Sequence, residues 1–235
     1  MLEKIKSGIP GFDEIMGGGI PKGQVVLISG TCGTGKTTMS AQYIYEGITK
    51  YNENGVFLSF EESPESMKAT LQEMGMDFAA LERQGKFKFI KYDPYHLEEV
   101  YDILSSTVTD VKAQRVVIDS LSALALHLHD RADIRKMIFD LSSVLRKLNV
   151  TTMVVSEIVP GKTGISRYGI EEFLADSVIV LYYERNKLVF SRGIHVWKSR
   201  GSAHSKKLHP YKITSKGVRI NPEEEAFMSE ERSPG

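Results

Sequence analysis

The sequence predicts an α/β fold, a mostly parallel central sheet with helices on both faces, followed by an antiparallel extension toward the C-terminus. Three observations carry this expectation. Short apolar runs bounded by turn or acidic residues recur between residues 25 and 156, the pattern of strands buried on both faces. Segments with apolar residues at three- and four-residue spacing alternate with those runs, as βαβ units do. After Ser156 the alternation stops and strands joined by short turns take over.

The first 24 residues are punctuated by Gly8, Pro10, Gly11, Gly17, Gly18, Gly19, Pro21 and Gly23, and read as linked turns with at most a short helix at Phe12–Met16. Val25–Ser29 is a continuous apolar run and hence a buried strand, followed by a helix from Lys36 to about Lys50. Val56–Phe60 repeats the strand pattern, and Ser63-Pro64 supplies an N-cap with proline at the first helical position, for a helix ending near Gly75. Phe87–Lys91 is a further strand. His96–Lys112 carries Leu97, Val100, Leu104, Val108 and Val111 on one helical face. Arg115–Asp119 is a buried strand ending in an acid, Ala132–Leu148 is helical by its spacing, and Thr151–Ser156 is another apolar strand. A loop with Gly161, Gly164 and Gly169 leads to strands at Ser177–Tyr183 and Lys187–Trp197, then Tyr211–Thr214 and Val218–Ile220. The expected organisation is one domain over residues 1–220, with 1–24 as its glycine-rich lead-in, and an acidic disordered tail over 221–235.

With 235 residues, 41% of them hydrophobic, the chain can bury a core without disulfides or a structural metal, and its single cysteine can form no internal bridge. No apolar run approaches the roughly 20 residues that span a bilayer, and the N-terminal stretch has no signal-peptide character, so no membrane association and a reducing, cytoplasmic setting are expected. Thirty Lys and Arg balance thirty Asp and Glu, but unevenly. Residues 185–219 hold ten basic and no acidic residues, 220–235 hold five Glu and one Arg, and 1–184 are left six charges negative.

Gly30-Thr31-Cys32-Gly33-Thr34-Gly35-Lys36-Thr37, followed by Thr38, fits the phosphate-binding pattern G-x-x-x-x-G-K-[ST] between a strand and a helix. Glycines let consecutive backbone N–H groups face a phosphate, the helix N-terminus favours the anion, Lys36 reaches the outer phosphates, and the Thr37 hydroxyl suits Mg²⁺. Asp119 ends an apolar strand 83 residues beyond Lys36, where an acid can meet the metal's water shell; the alternative is a turn cap. Glu61 and Glu62 follow a strand at the sheet's carboxyl edge and can orient a water for attack on a terminal phosphate, or simply complement the dipole of the next helix. His127, His129 and Asp130 read as a polar loop edge rather than metal ligands, and Cys32 as a variable loop position. Tyr182, Tyr183 and Trp197 read as sheet packing.

Taken together, Ser7–Asp13, Gly17–Gly23, Gly30–Thr37, Phe60–Pro64, Val116–Ser120, Arg167–Phe173 and Lys198–His204 resemble the KaiC-like branch of the RecA superfamily of ATPases over nearly the whole chain. The resemblance implies a RecA-like P-loop fold, binding of ATP or ADP with Mg²⁺, and hydrolysis in a homo-oligomer, a hexameric ring with nucleotide held between subunits. It matches Glu61 and Glu62 to paired catalytic glutamates, and Lys198 and Arg200 to basic residues that reach a neighbour's terminal phosphate. Ser199, Ser202 and His204 fall in the same interface loop. Clock-type autophosphorylation is not implied, because Glu172 and Phe173 stand where the second KaiC domain has its Ser and Thr acceptors. Two rival functions remain at this point: a DNA-stimulated recombination ATPase of the RadA kind, favoured by the basic stretch, and an ATP-gated scaffold whose acidic tail contacts another protein.

Overall fold

The computed structural model describes residues 2–93, 97–125, 128, 130–161, 164–186 and 189–226. Strands β1 (Lys4–Ile5) and β2 (Ile20–Pro21) form a small antiparallel ladder that closes the lead-in around helix α1 (Phe12–Ile15). The main elements follow as β3 (Val25–Gly30), α2 (Lys36–Tyr51), β4 (Gly55–Ser59), α3 (Pro64–Gln72), α4 (Phe78–Arg83), β5 (Phe87–Lys91), α5 (Leu97–Val111) and β6 (Arg115–Asp119). Then come α6 (Leu121–Leu124), α7 (Arg131–Lys147), β7 (Thr151–Glu157), α8 (Glu171–Leu174), β8 (Ser177–Asn186), β9 (Val189–Ser199), β10 (Leu208–Thr214) and β11 (Gly217–Ile220).

Nine strands make one sheet in the order β11-β10-β9-β8-β3-β7-β6-β4-β5. From β8 to β5 every neighbour is parallel, and β9, β10 and β11 extend the sheet antiparallel. The fold is therefore the α/β architecture expected, with the C-terminal extension where the pattern changed. Apolar side chains of alternate strand positions fill two cores. On one face Val26, Ile28, Phe57 and Val117 meet α2, α3, α4 and the lead-in; on the other Leu27, Val56, Leu58 and Ile118 meet α5, α6 and α7.

The lead-in is more than a string of turns, because Phe12 and Met16 are fully buried and Ile9 and Ile15 nearly so. Arg115 pins it down. Its guanidinium, with no exposed surface, donates to the carbonyls of Lys6, Ser7 and Tyr43 at 2.6–3.1 Å and to Glu53 Oε2 at 2.6 Å. It lies over the Tyr43 ring, 4.6 Å from the centroid, in space that only Gly47 of α2 leaves open: a Cβ there would sit 2.2 Å from Arg115 Nε.

The predicted helices hold, with local differences. Ser63 accepts from Ser66 N as the cap of α3, which stops at Gln72; a separate helix, α4, then starts from its own Asp77 cap. Asp130 caps α7 through Ala132 N at 2.7 Å, while His127 and His129 lie outside the described residues. Residues 221–226, assigned by composition to the tail, run back along β10: Asn221 N donates to Pro210 O, Ala226 N to Leu208 O, and Glu225 pairs with Lys207. The main chain there has partners a disordered tail would lack. Residues 227–235 are outside the described set.

Candidate active site

Four adjacent strands, β3, β7, β6 and β4, deliver their carboxyl ends to one edge, with Gly30 level with Glu157 and Ser59 level with Asp119. Open parallel sheets bind ligands at such an edge. After β3 the chain turns through Gly33 (φ 80°) and Gly35 (φ 84°), left-handed conformations that glycine adopts without steric penalty, and enters α2 at Lys36. The α2 N-terminus has no side-chain cap and no acidic residue in its first turn, which leaves its N–H groups for an anion.

Lys36 is buried, and its Nζ donates to Thr31 O at 3.0 Å. Burial pulls its pKa below the usual lysine range, against the opposing fields of Glu157, Asp119, Cys32 and Glu61. Thr37 Oγ1 donates to Asp119 Oδ2 at 2.6 Å, joining the loop's helix to a strand two places away in the sheet. Burial pushes the Asp119 carboxyl up to about 6, although the Thr37 hydrogen bond acts in the opposite direction. Ser59 Oγ accepts from the backbone N–H groups of both Glu61 (3.3 Å) and Glu62 (3.1 Å), fixing the turn that carries them. The Glu61 side chain is exposed and accepts from Ser120 Oγ at 3.4 Å, directly beyond Asp119. Thr31 and Thr38 are half-buried in the same loop and first helical turn, and Cys32 is exposed.

Lys198, Ser199, Arg200, Ser202 and His204 are not brought to this edge. Lys198 pairs with Val178 and Ser199 with Ser177, at the amino end of β8, whereas Gly30 pairs with Leu181. Three residues of strand separate those levels, about 10 Å. Lys198 Nζ donates to Glu172 O and Arg200 Nη2 to Phe173 O (2.8 Å), both carbonyls of α8. Ser177 Oγ donates to Ser199 Oγ at 3.0 Å, Ser202 Oγ donates to Ala203 O, and His204 Nδ1–H donates to Ser205 O at 2.9 Å.

Several residues at the edge escaped the sequence reasoning. Glu157 ends β7 beside Lys36 and pairs with Arg167 at 3.2 Å; the signal was there, an acid directly after an apolar strand, as at Asp119. Glu171, 1% exposed, accepts from Ser156, Ser166 and the backbone of Tyr168 and Ile170, tying the end of β7 to α8. Arg192 of β9 donates to Gly33 O at 3.2 Å and Tyr211 of β10 donates to Thr34 O at 2.6 Å, contacts that no local pattern announces.

A glycine loop between a buried parallel strand and a helix, its threonine bonded to a buried aspartate from the same sheet edge, defines a P-loop ATPase domain of the RecA type. The comparisons narrow this. The family model described as "ATPase: KaiC" matches residues 5–225, and the chain belongs to that family, whose members bind ATP. The circadian clock protein KaiC3 of Synechocystis sp. is 39% identical over 94% of this chain and 46% of its own length. UPF0273 protein MJ1359 of Methanocaldococcus jannaschii is 34% identical over 94% of this chain and 98% of its own. The crystal structure of the KaiC-like protein PH0186 of Pyrococcus horikoshii matches with a TM-score of 0.88 at 38% identity, covering 94% of this chain and 100% of that one. The chain thus spans about half the length of the clock proteins it matches and nearly all of the single-domain relatives. Among the described residues no helix is long and apolar enough to cross a membrane.

Proposed function

We propose that the chain hydrolyses ATP to ADP and phosphate with Mg²⁺, using water oriented by Glu61 or Glu62. The observation that carries this reading is the Thr37–Asp119 hydrogen bond of 2.6 Å beside the buried ammonium of Lys36. A hydroxyl and a carboxylate are the oxygen donors a hard cation takes, and a buried ammonium whose hydrogen-bond partner is one carbonyl suits a phosphate oxygen. Thr37 and Asp119 would hold the metal, directly or through its waters. Bound Mg²⁺ supplies neutralising charge on the outer phosphates. Lys36 adds a second positive charge there, and the amides of residues 33–37 hold the phosphate oxygens. Either Glu61 or Glu62 accepts a proton from the attacking water.

The test is direct. Lys36→Ala should abolish nucleotide binding or turnover, and Glu61→Gln with Glu62→Gln should retain binding and lose most hydrolysis. Full ATPase activity in that double variant refutes the assignment.

The reading includes a homo-oligomeric ring, a hexamer, in which Lys198 and Arg200 act on the neighbour's terminal phosphate, with Ser199, Ser202 and His204 in the same contact. Support comes from the sheet register, which sets these cations about 10 Å along the strands from their own loop. Positive charge supplied across an interface would couple turnover to assembly. Native mass spectrometry with and without Mg·ATP, comparing wild type with Lys198→Ala/Arg200→Ala, tests it; a wild-type monomer under all conditions removes both the ring and the trans contact. Arg192 on the loop, Lys198 and Arg200 on α8 and Lys207 against Glu225 disperse the basic stretch, which supports phosphate over polynucleotide as its target.

A further inference from the structure

A phosphate-binding loop works by turning its amides inward, which sends carbonyls outward, where each needs a donor of its own. In this chain the donors come from the antiparallel extension. Arg192 Nη2 donates to Gly33 O (3.2 Å) and Tyr211 Oη to Thr34 O (2.6 Å). Both donors are held in place. The Arg192 guanidinium lies over the Tyr183 ring, 4.2 Å from its centroid, and Tyr211 is 4% exposed. Ile213 adds a steric wall: its Cδ1 sits 2.5 Å from where a Cβ on Gly35 would stand. Arg192 Nε is buried without a partner, so stacking and the Gly33 bond fix this side chain at the expense of one unsatisfied donor.

We propose that Arg192 and Tyr211 are positioning residues that hold the loop in its phosphate-ready shape before nucleotide arrives. This rests on the nucleotide reading of the loop and adds to it the means by which the ordering cost is met in advance. The two side chains touch the loop's outer wall and not the side that faces phosphate. Losing either leaves the binding groups in place but makes the incoming phosphate order the loop. Affinity for ADP and ATP then falls by the same factor, while turnover at saturation is retained.

The experiment is titration of a fluorescent N-methylanthraniloyl ADP in Mg²⁺, with steady-state ATP kinetics and hydrogen exchange of residues 30–37 in the nucleotide-free protein. The variants are Tyr211→Phe, which removes only the hydroxyl, Arg192→Met, and Arg192→Lys as the conservative rescue. One hydrogen bond corresponds to about a fivefold change, so Tyr211→Phe and Arg192→Met should each raise Kd and KM roughly 3–10-fold, with kcat within about twofold. Exchange of the loop amides should speed up, and Arg192→Lys should recover part of the affinity. Unchanged Kd with a lowered melting temperature would show a merely structural role and overturn the proposal. So would a large loss of kcat at unchanged Kd in Arg192→Met, which would put the guanidinium on the reacting phosphate. Wild type failing to bind the analogue would instead overturn the nucleotide reading itself.

Discussion

Replacing Arg115 by alanine tests how the lead-in is fastened to the ATPase body. The change strips donors from Glu53 and from the carbonyls of Lys6, Ser7 and Tyr43. Glu53 keeps 24% of its side-chain surface exposed and can regain water, so the full penalty for every orphaned group does not apply. Breaking a buried pair costs about 3–5 kcal/mol, before any cavity is counted. For a domain of this size about 1 kcal/mol moves the melting temperature by 2–4 °C, so a fall of roughly 6–20 °C is expected in circular-dichroism melts. Saturating Mg·ADP should restore part of it, because α2 and β6 carry Thr37 and Asp119 at their far ends. Gly47 provides the sharper arm. In the wild-type background Gly47→Ala drives a Cβ to 2.2–2.5 Å from Arg115 Nε, Cδ and Cζ and must destabilise. In the Arg115→Ala background that collision is gone, and the same change should become neutral or stabilise by up to about 1 kcal/mol through helix propensity. A loss below about 2 °C for Arg115→Ala, or additive single effects, would refute the reasoning.

Asp119→Asn should separate stability from function: with chelator and no nucleotide it should raise stability at pH 7 by on the order of 1–3 kcal/mol, since an ionised carboxylate no longer sits buried, while Mg-dependent nucleotide affinity and turnover collapse. Melts with and without chelator, beside a Mg²⁺ titration, check both halves. Glu171→Gln leaves the Tyr168 and Ile170 N–H groups facing an amide that accepts at one atom only, and urea unfolding should show a loss of about 1–3 kcal/mol. Burial and then His204, with His209 more weakly, hold His195 below the usual imidazole range against a bond to the Lys206 backbone. The unfolded chain therefore binds that proton more tightly, and stability should fall as pH drops below about 6.5. His195→Gln should flatten the melting temperature between pH 7 and 5.5; an unchanged slope would discount His195.

Elements governed by local rules were legible. The loop Gly30–Thr37, the buried strands on either side of it and the Ser63-Pro64 helix start each follow from residues within one turn or strand of one another. Helices α6 and α8, each four residues long, were not, because so short a segment has no period to detect. Lys36, Thr37 and Asp119 were named together from the sequence because their residue types and local context are those phosphate and metal chemistry asks for, and the fold does bring them to one edge of the sheet. Arg192 and Tyr211 were not, since what assigns them is contact across 159 and 177 residues of sequence, set by strand order and not by neighbours. The lead-in looked like turns for the same reason: its glycines are local, but the burial of Phe12 and Met16 is made by distant strands.

Strand β9 touches its own loop through Arg192 and carries Lys198 six residues further on, which a bulge shortens to five steps along β8, about 17 Å away toward the opposite edge of the sheet. In a closed ring each β9 would then be a beam running from one nucleotide to the next, and every beam would point the same way round. Such a ring has a sense of rotation built into its wiring. A defective loop in one subunit would disturb the site on one flank and spare the other, so rings mixed from wild-type and loop-defective chains should lose activity in a neighbour-dependent, polar manner.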